Sequence, residues 1–240
     1  MTCGNDPDQT SRIVLHGSRG SPFVEKVYCG LMLKRLPFEV HEHELSPLGL
    51  KKNATTGKMP ALELAGKLLF DSTLILHAVE RHCPDPPLFS ADPLIAAQQS
   101  LIEDWADESL YWYGMSLRWN VALNSARWSQ FLARRYWPVI QPIMRFLIGR
   151  HFGTQTYAQG MGRLPTEILL TELDRHLASL TKMLGPGPFF FGLQEPSVAD
   201  LAVYGQIGFI QDRAVPEGAR VLEGYEGLSR MCRLVETLTT

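Results

Sequence analysis

The stretch RIVLHGSRGSPFVEKVYCGLMLKRL, Arg12–Leu36, changes period in its middle, and that change decides the fold. Its first part, RIVLHG, is short, β-branched and closed by Gly17, which is the pattern of a buried strand. From Pro22 onward, Phe23, Val24, Val27 and Leu31 recur at helical spacing, and Ser21 followed by Pro22 supplies an N-cap and a first-turn proline. A strand that turns straight into a helix leaves backbone N–H groups unpaired where the helix dipole is positive. Such a turn can hold a thiolate, and a hydroxyl at Ser21 or Ser18 can donate to the sulfur. The plainer reading of Ser21 is a helix cap and nothing more.

Working outward, Pro37–Leu45 alternates apolar and polar residues and predicts a second strand. Gly57-Lys58-Met59-Pro60 punctuates the chain before ALELAGKLLF, which reads as a β-hairpin around Ala65-Gly66-Lys67. Ser72 is placed to cap a helix from Thr73 to about His82. The prolines of CPDPPLFSADP, residues 83–93, forbid regular structure and mark a linker. Beyond it the pattern is helical: Leu94 to about Asn120, about Ala126 to Gly149 with interruptions at Pro138 and Pro142, Thr166–Leu184, and Ser197–Asp212. The fold class is therefore α/β followed by all-α, divided into a mobile tail at 1–11, an α/β domain at 12–83, a linker at 84–91 and a helical domain at 92–240.

Charge and composition narrow the partners. With Lys plus Arg at 23 and Asp plus Glu at 25, the net charge is −2, and no overall basic field would gather nucleic acid or an anionic membrane. Any anion site must be local, and neither nucleic acid nor membrane is an expected partner. Arg134-Arg135 is too short a basic run for nucleic acid. The polar start and the lack of a long apolar run predict a cytoplasmic protein. Cys3, Cys29, Cys83 and Cys232 are scattered without a C-x-x-C pair, so reduced thiols are expected, with neither a disulfide framework nor a zinc site. His41 and His43 share a strand face but lack a third ligand, and no metal is assigned to them.

Two further positions carry binding chemistry. If the Met59–Pro60 bond is cis, Met59 would present its N–H and C=O to a peptide-like ligand as an added strand; an ordinary strand start is the alternative. Asp71-Ser72 at a helix start offers N–H groups, a hydroxyl and a carboxylate, a set able to hold both charges of an amino-acid head group. The aromatics Trp105, Tyr111, Trp112, Tyr113 and Trp119 read as inter-helix core, with Tyr111 or Tyr113 as a wall for an apolar substrate.

Taken together, Ser21-Pro22-Phe23-Val24, Gly57-Lys58-Met59-Pro60-Ala61-Leu62 and Phe70-Asp71-Ser72 resemble the N-terminal domain of cytosolic glutathione transferases. Phe189–Ile207, FFFGLQEPSVADLAVYGQI, looks like that family's second-domain signature, with Ser197 and Asp200 as an S-x-x-D capping box. The resemblance implies a thioredoxin-like first domain and the all-helical second domain of that family. It implies that Ser21 activates the thiol of glutathione, that Met59 and Pro60 pair with its cysteine, and that Asp71 and Ser72 hold its γ-glutamyl end. Lys58 would approach the glycyl carboxylate, with Ser18 and Phe23 lining the same site. The implied activity is conjugation of glutathione, as co-substrate and without metal, to small hydrophobic electrophiles in a detoxifying homodimer. Serine in place of cysteine at position 21 argues against a mixed-disulfide mechanism. LYWYGMSLRW, GMGR and PFFFG are also similar to the metaxin-like branch, which implies a non-catalytic glutathione-binding or scaffold protein as the alternative.

Overall fold

The computed structural model describes residues 12–42 and 57–240. The tail to Ser11, the end of the second strand and His43 lie outside the described residues. Strand β1, Ile13–His16, is buried at every position and leads into helix α1, Pro22–Leu33. Strand β2, Phe38–His41, runs parallel to β1 in the register Ile13↔Phe38, the arrangement that a helical crossover between strands produces. Strands β3, Ala61–Leu64, and β4, Lys67–Phe70, form the hairpin, turned at Ala65 and Gly66 with φ of 49° and 73°. Strand β3 is antiparallel to β1, and the sheet order is β2-β1-β3-β4.

Helix α2, Ser72–His82, follows β4 directly. Its cap is Asp71 rather than Ser72: Asp71 Oδ1 accepts from the N–H groups of Thr73 at 3.1 Å and Leu74 at 3.2 Å. A carboxylate reaches two N–H groups at once and favours the positive end of the dipole, so it displaces the neighbouring hydroxyl from that role. Val14, Leu15, Val24, Val27, Leu31, Leu62, Ile75, Leu76 and Val79 fill the core around the sheet. Residues 84–88 are irregular, yet they are pinned: Lys34 Nζ donates to Glu80 and to the Pro84 carbonyl at 3.1 Å, and Glu80 accepts from Leu88 N–H at 3.1 Å.

The remainder is helical. Helix α3, Pro93–Trp105, passes through a π-helical turn at Ala106–Leu110 into α4, Tyr111–Trp119. The helix expected from about Ala126 to Gly149 is two helices, α5, Ala122–Ala133, and α6, Gln141–Gln159, because the prolines break the chain at Pro138–Ile140 and restart it at Pro142. Helices α7, Thr166–Leu184, and α8, Val198–Ile210, are followed by α9, Pro216–Leu222, and α10, Glu226–Leu238, two helices for which the sequence patterns gave no expectation.

Packing does not follow chain order. One compact unit runs to Asp104 and takes in Leu184–Gly205 and Arg230–Thr240; the other comprises Trp105–Met183 and Gln206–Ser229. Cys29 and Cys232 are free and buried, and burial pushes both thiols up to about 12. Cys83 is disulfide-bonded, a departure from the expectation of reduced thiols throughout, since widely spaced cysteines give no spacing by which a pairing can be read.

Candidate functional site

The turn between β1 and α1 is held open by backbone geometry. Gly17 has φ of 151°, and a Cβ there would lie 2.5 Å from Val24 Cγ2, so only glycine lets the chain leave the sheet at this point. Ser21 N–H donates to the Ser18 carbonyl at 2.9 Å, and Ser21's own carbonyl accepts from Glu25 at 3.0 Å. The Ser21 side chain makes no capping hydrogen bond, although the residue occupies the N-cap position in an extended conformation. Its hydroxyl is therefore not consumed by the helix it begins.

Arg19 fixes the turn to the side of α1. Its guanidinium donates to both carboxylate oxygens of Glu25, at 3.0 and 2.6 Å, and lies 3.7 Å over the Tyr28 ring. The Glu25 hydrogen bond raises the Arg19 pKa above its ordinary value, against a smaller opposing effect of burial. Gly205 of α8 comes up against the same place: a Cβ at that position would be 2.6 Å from the Pro22 carbonyl oxygen.

Met59 meets this turn directly. The Ser18 N–H donates to Met59 Sδ at 3.5 Å, which joins two of the sequence-identified segments. The Met59–Pro60 peptide is cis, and neither the N–H nor the C=O of Met59 bonds another described residue. Pro60 is buried, Phe23 and Met59 are half-buried, and Lys58 is exposed. Asp71, exposed and with φ of 71°, caps α2 through Oδ1, and Ser72 behind it is buried.

A buried ion pair joins α1 to α3 and takes in the first turn of α2. Lys26 Nζ donates to Glu103 Oε1 at 2.7 Å and lies 3.4 Å from Thr73 Oγ1, while the Thr73 hydroxyl donates to the same Glu103 oxygen at 2.9 Å. The two charged side chains are 1% and 2% exposed. This triad ties the first turn of α2, where Asp71 and Ser72 stand, to the helix that Ser21 begins. Its signal in the sequence is a lysine set among Phe23, Val24 and Val27 on an otherwise apolar helix face.

The remaining sequence candidates have partners of their own. Tyr111 and Tyr113 belong to the other unit, where Tyr111 stacks on Phe209 at 5.6 Å and Tyr113 lies 5.5 Å from the His176 ring. Burial pushes the Tyr111 hydroxyl up to about 12. His41 lies edge-on to His16 at 5.4 Å. Half of the expected Ser197–Asp200 box forms, the carboxylate returning its bond to the Ser197 N–H, while the hydroxyl half differs. The carboxylate accepts from Ser197 N–H at 2.8 Å, from the Ser197 hydroxyl at 2.7 Å and from Phe190 N–H at 2.9 Å, so the hydroxyl donates instead of capping. Burial pushes Asp200 up to about 6 against those three donors.

Comparison with known proteins bears on the family and the fold. The family model described as glutathione S-transferase, N-terminal domain, matches residues 15–87, and the corresponding C-terminal domain model matches residues 130–230. Glutathione S-transferase U4 of Arabidopsis thaliana is 31% identical over 101 residues, which are 41% of this chain and 45% of that protein. The chain thus spans less than half the length of that curated relative in the match. The β-etherase LigF from Sphingobium sp. strain SYK-6 has the same fold, with TM-score 0.68 and 19% identity over 93% of this chain and 94% of that one. A glutathione S-transferase from Methylobacterium radiotolerans, solved in complex with glutathione sulfonate, superposes with TM-score 0.58 and 21% identity over 94% of this chain and 91% of that one.

Proposed function

The chain belongs to the cytosolic glutathione S-transferase superfamily, and from that premise we propose that it binds glutathione at the α1–α2 end of the sheet and conjugates its thiolate to small hydrophobic electrophiles. The observation that carries the reading is the Ser21 hydroxyl, which stands at the positive end of α1 with no capping bond to its own helix. Its proton is available to a sulfur. A hydrogen bond to a thiolate favours the ionised form of a thiol whose free pKa is about 8.5. The thiolate then attacks the electrophilic carbon, the S–C bond forms as the bond to the leaving group breaks, and the leaving group departs with the electron pair.

The other residues orient the tripeptide. Met59 offers an N–H and a C=O that bond no described residue, which suits an extended cysteinyl segment. The γ-glutamyl head group is assigned to the start of α2, with the Ser72 hydroxyl and the second oxygen of Asp71, and Lys58 to the glycyl carboxylate. Ser18 and Phe23 frame the thiol, Pro60 fixes the turn behind it, and Tyr111 and Tyr113 are assigned to the acceptor. The division of the two family domains is placed across residues 84–91.

A cytoplasmic, detoxifying homodimer is part of the same reading. Leu68, Leu74, Leu94 and Leu101, on β4, α2 and α3, are 42%, 59%, 69% and 71% exposed and offer apolar surface for a second copy. Among the described residues no helix is long and apolar enough to cross a membrane. Ser21→Ala tests the catalytic assignment. A lost hydrogen bond to a charged sulfur is worth about 1.5–3 kcal/mol, so kcat with an aryl halide should fall roughly 10- to 100-fold while glutathione affinity changes little. The pH at which the rate rises should also move upward. Unchanged turnover would remove Ser21 from the role.

A further inference from the structure

Helices bury their apolar stripe, but α6 displays one. Ile143, Phe146 and Leu147 recur at i, i+3 and i+4 and are 61%, 67% and 48% exposed. The turn before them carries Trp137 at 82% and Val139 at 88%. This is not a core face turned outward, because the opposite side of α6 already packs: Ile148 and Phe152 cover the cluster of Met115, Trp119 and Leu132.

The charge around the stripe is one-sided. Between Glu108 and Glu167 every charged side chain is an arginine: Arg118, Arg127, Arg134, Arg135, Arg145, Arg150 and Arg163. Arg118 is buried between Trp128 and Phe209, and Arg163 lies over Tyr157. The other five are exposed on α5, α6 and the turn joining them, and none forms an ion pair with a described residue. In a chain of net charge −2 this segment stands out, and the overall balance behind the expectation of no membrane partner conceals it. A face of like charges is poorly matched to a copy of itself. An anionic layer with an apolar interior matches both halves, since it neutralises guanidinium groups and takes up aromatic side chains.

We propose that the α5–α6 surface docks this protein on an anionic lipid bilayer, with Arg127, Arg134, Arg135, Arg145 and Arg150 among the headgroups and Trp137, Phe146 and Leu147 in the boundary beneath them. The docking is peripheral, in keeping with the absence of a spanning helix among the described residues. It is independent of the glutathione reading.

The test is flotation of the full chain with vesicles of phosphatidylcholine mixed with phosphatidylserine, and with vesicles of phosphatidylcholine alone. Binding to the mixed vesicles is expected at low salt, weakening as salt is raised. Each arginine contributes about fivefold, so Arg134→Gln with Arg135→Gln should weaken binding roughly 25-fold. Trp137→Ser with Phe146→Ser should weaken it at least as much, with near-ultraviolet circular dichroism reporting that both variants keep their packing. No binding to the mixed vesicles, equal binding to both kinds, or variants that bind like the parent would each overturn the proposal. So would sedimentation showing that this surface joins two copies without lipid binding, or capture by soluble polyglutamate with none by vesicles.

Discussion

Lys26→Met removes the cation from the buried pair beneath the candidate site and leaves Glu103 with the Thr73 hydroxyl as its described donor. Methionine matches the lysine stem closely, so packing is kept and the electrostatic change dominates. Breaking a buried pair by deleting one partner costs about 3–5 kcal/mol, because the remaining carboxylate stays desolvated and unmatched. For a chain of this size each kcal/mol moves the melting temperature by roughly 2–4 °C, which gives an expected fall of about 6–20 °C. Replacing both partners, Lys26→Met with Glu103→Met, should recover most of that loss, since no buried charge remains. Urea and thermal unfolding followed by circular dichroism on the parent, both single variants and the double variant form the cycle. A single-variant cost under about 1 kcal/mol, the range of exposed pairs, would refute the reasoning, as would a double variant less stable than either single one.

Three other outcomes follow from the same geometry. Gly205→Ala would put a Cβ 2.6 Å from the Pro22 carbonyl, so it should cost about 1–3 kcal/mol by overpacking and also weaken glutathione binding, read by unfolding and by calorimetry. Asp200, held up to about 6 by burial, binds a proton in the folded chain where the unfolded chain, with a carboxyl near 3.9, has released it. Its contribution to stability therefore falls as pH rises from about 4 to about 6 and is level above, and unfolding of the Asp200→Asn variant should lack that slope while being weaker at every pH. Ser21→Ala should separate turnover from affinity, as argued above.

Much of the stretch from Ile13 to His82 was legible because its signals are local. The switch of period at Ser21-Pro22, the Ala65-Gly66 turn and the short apolar runs each act through neighbouring residues, and the strands and helices appear where they were expected. The cap of α2 was misassigned by one residue, since serine and aspartate are comparable caps and only the backbone at Asp71 decides between them. Long-range partners were not legible. Lys26 and Glu103 stand 77 positions apart, and Gly205 meets Pro22 only because α8 packs there. The split of α5 from α6 was half visible, because Pro138 and Pro142 announce a break without saying how long it is.

The central claim concerns glutathione, and one titration bears on it most directly: reduced glutathione added to the purified chain in a calorimeter, with turnover of an aryl halide followed in the same buffer. The account expects saturable binding at one site per chain, together with conjugate formation that needs both substrates. Absence of binding at millimolar glutathione would contradict it and leave the fold without the proposed site.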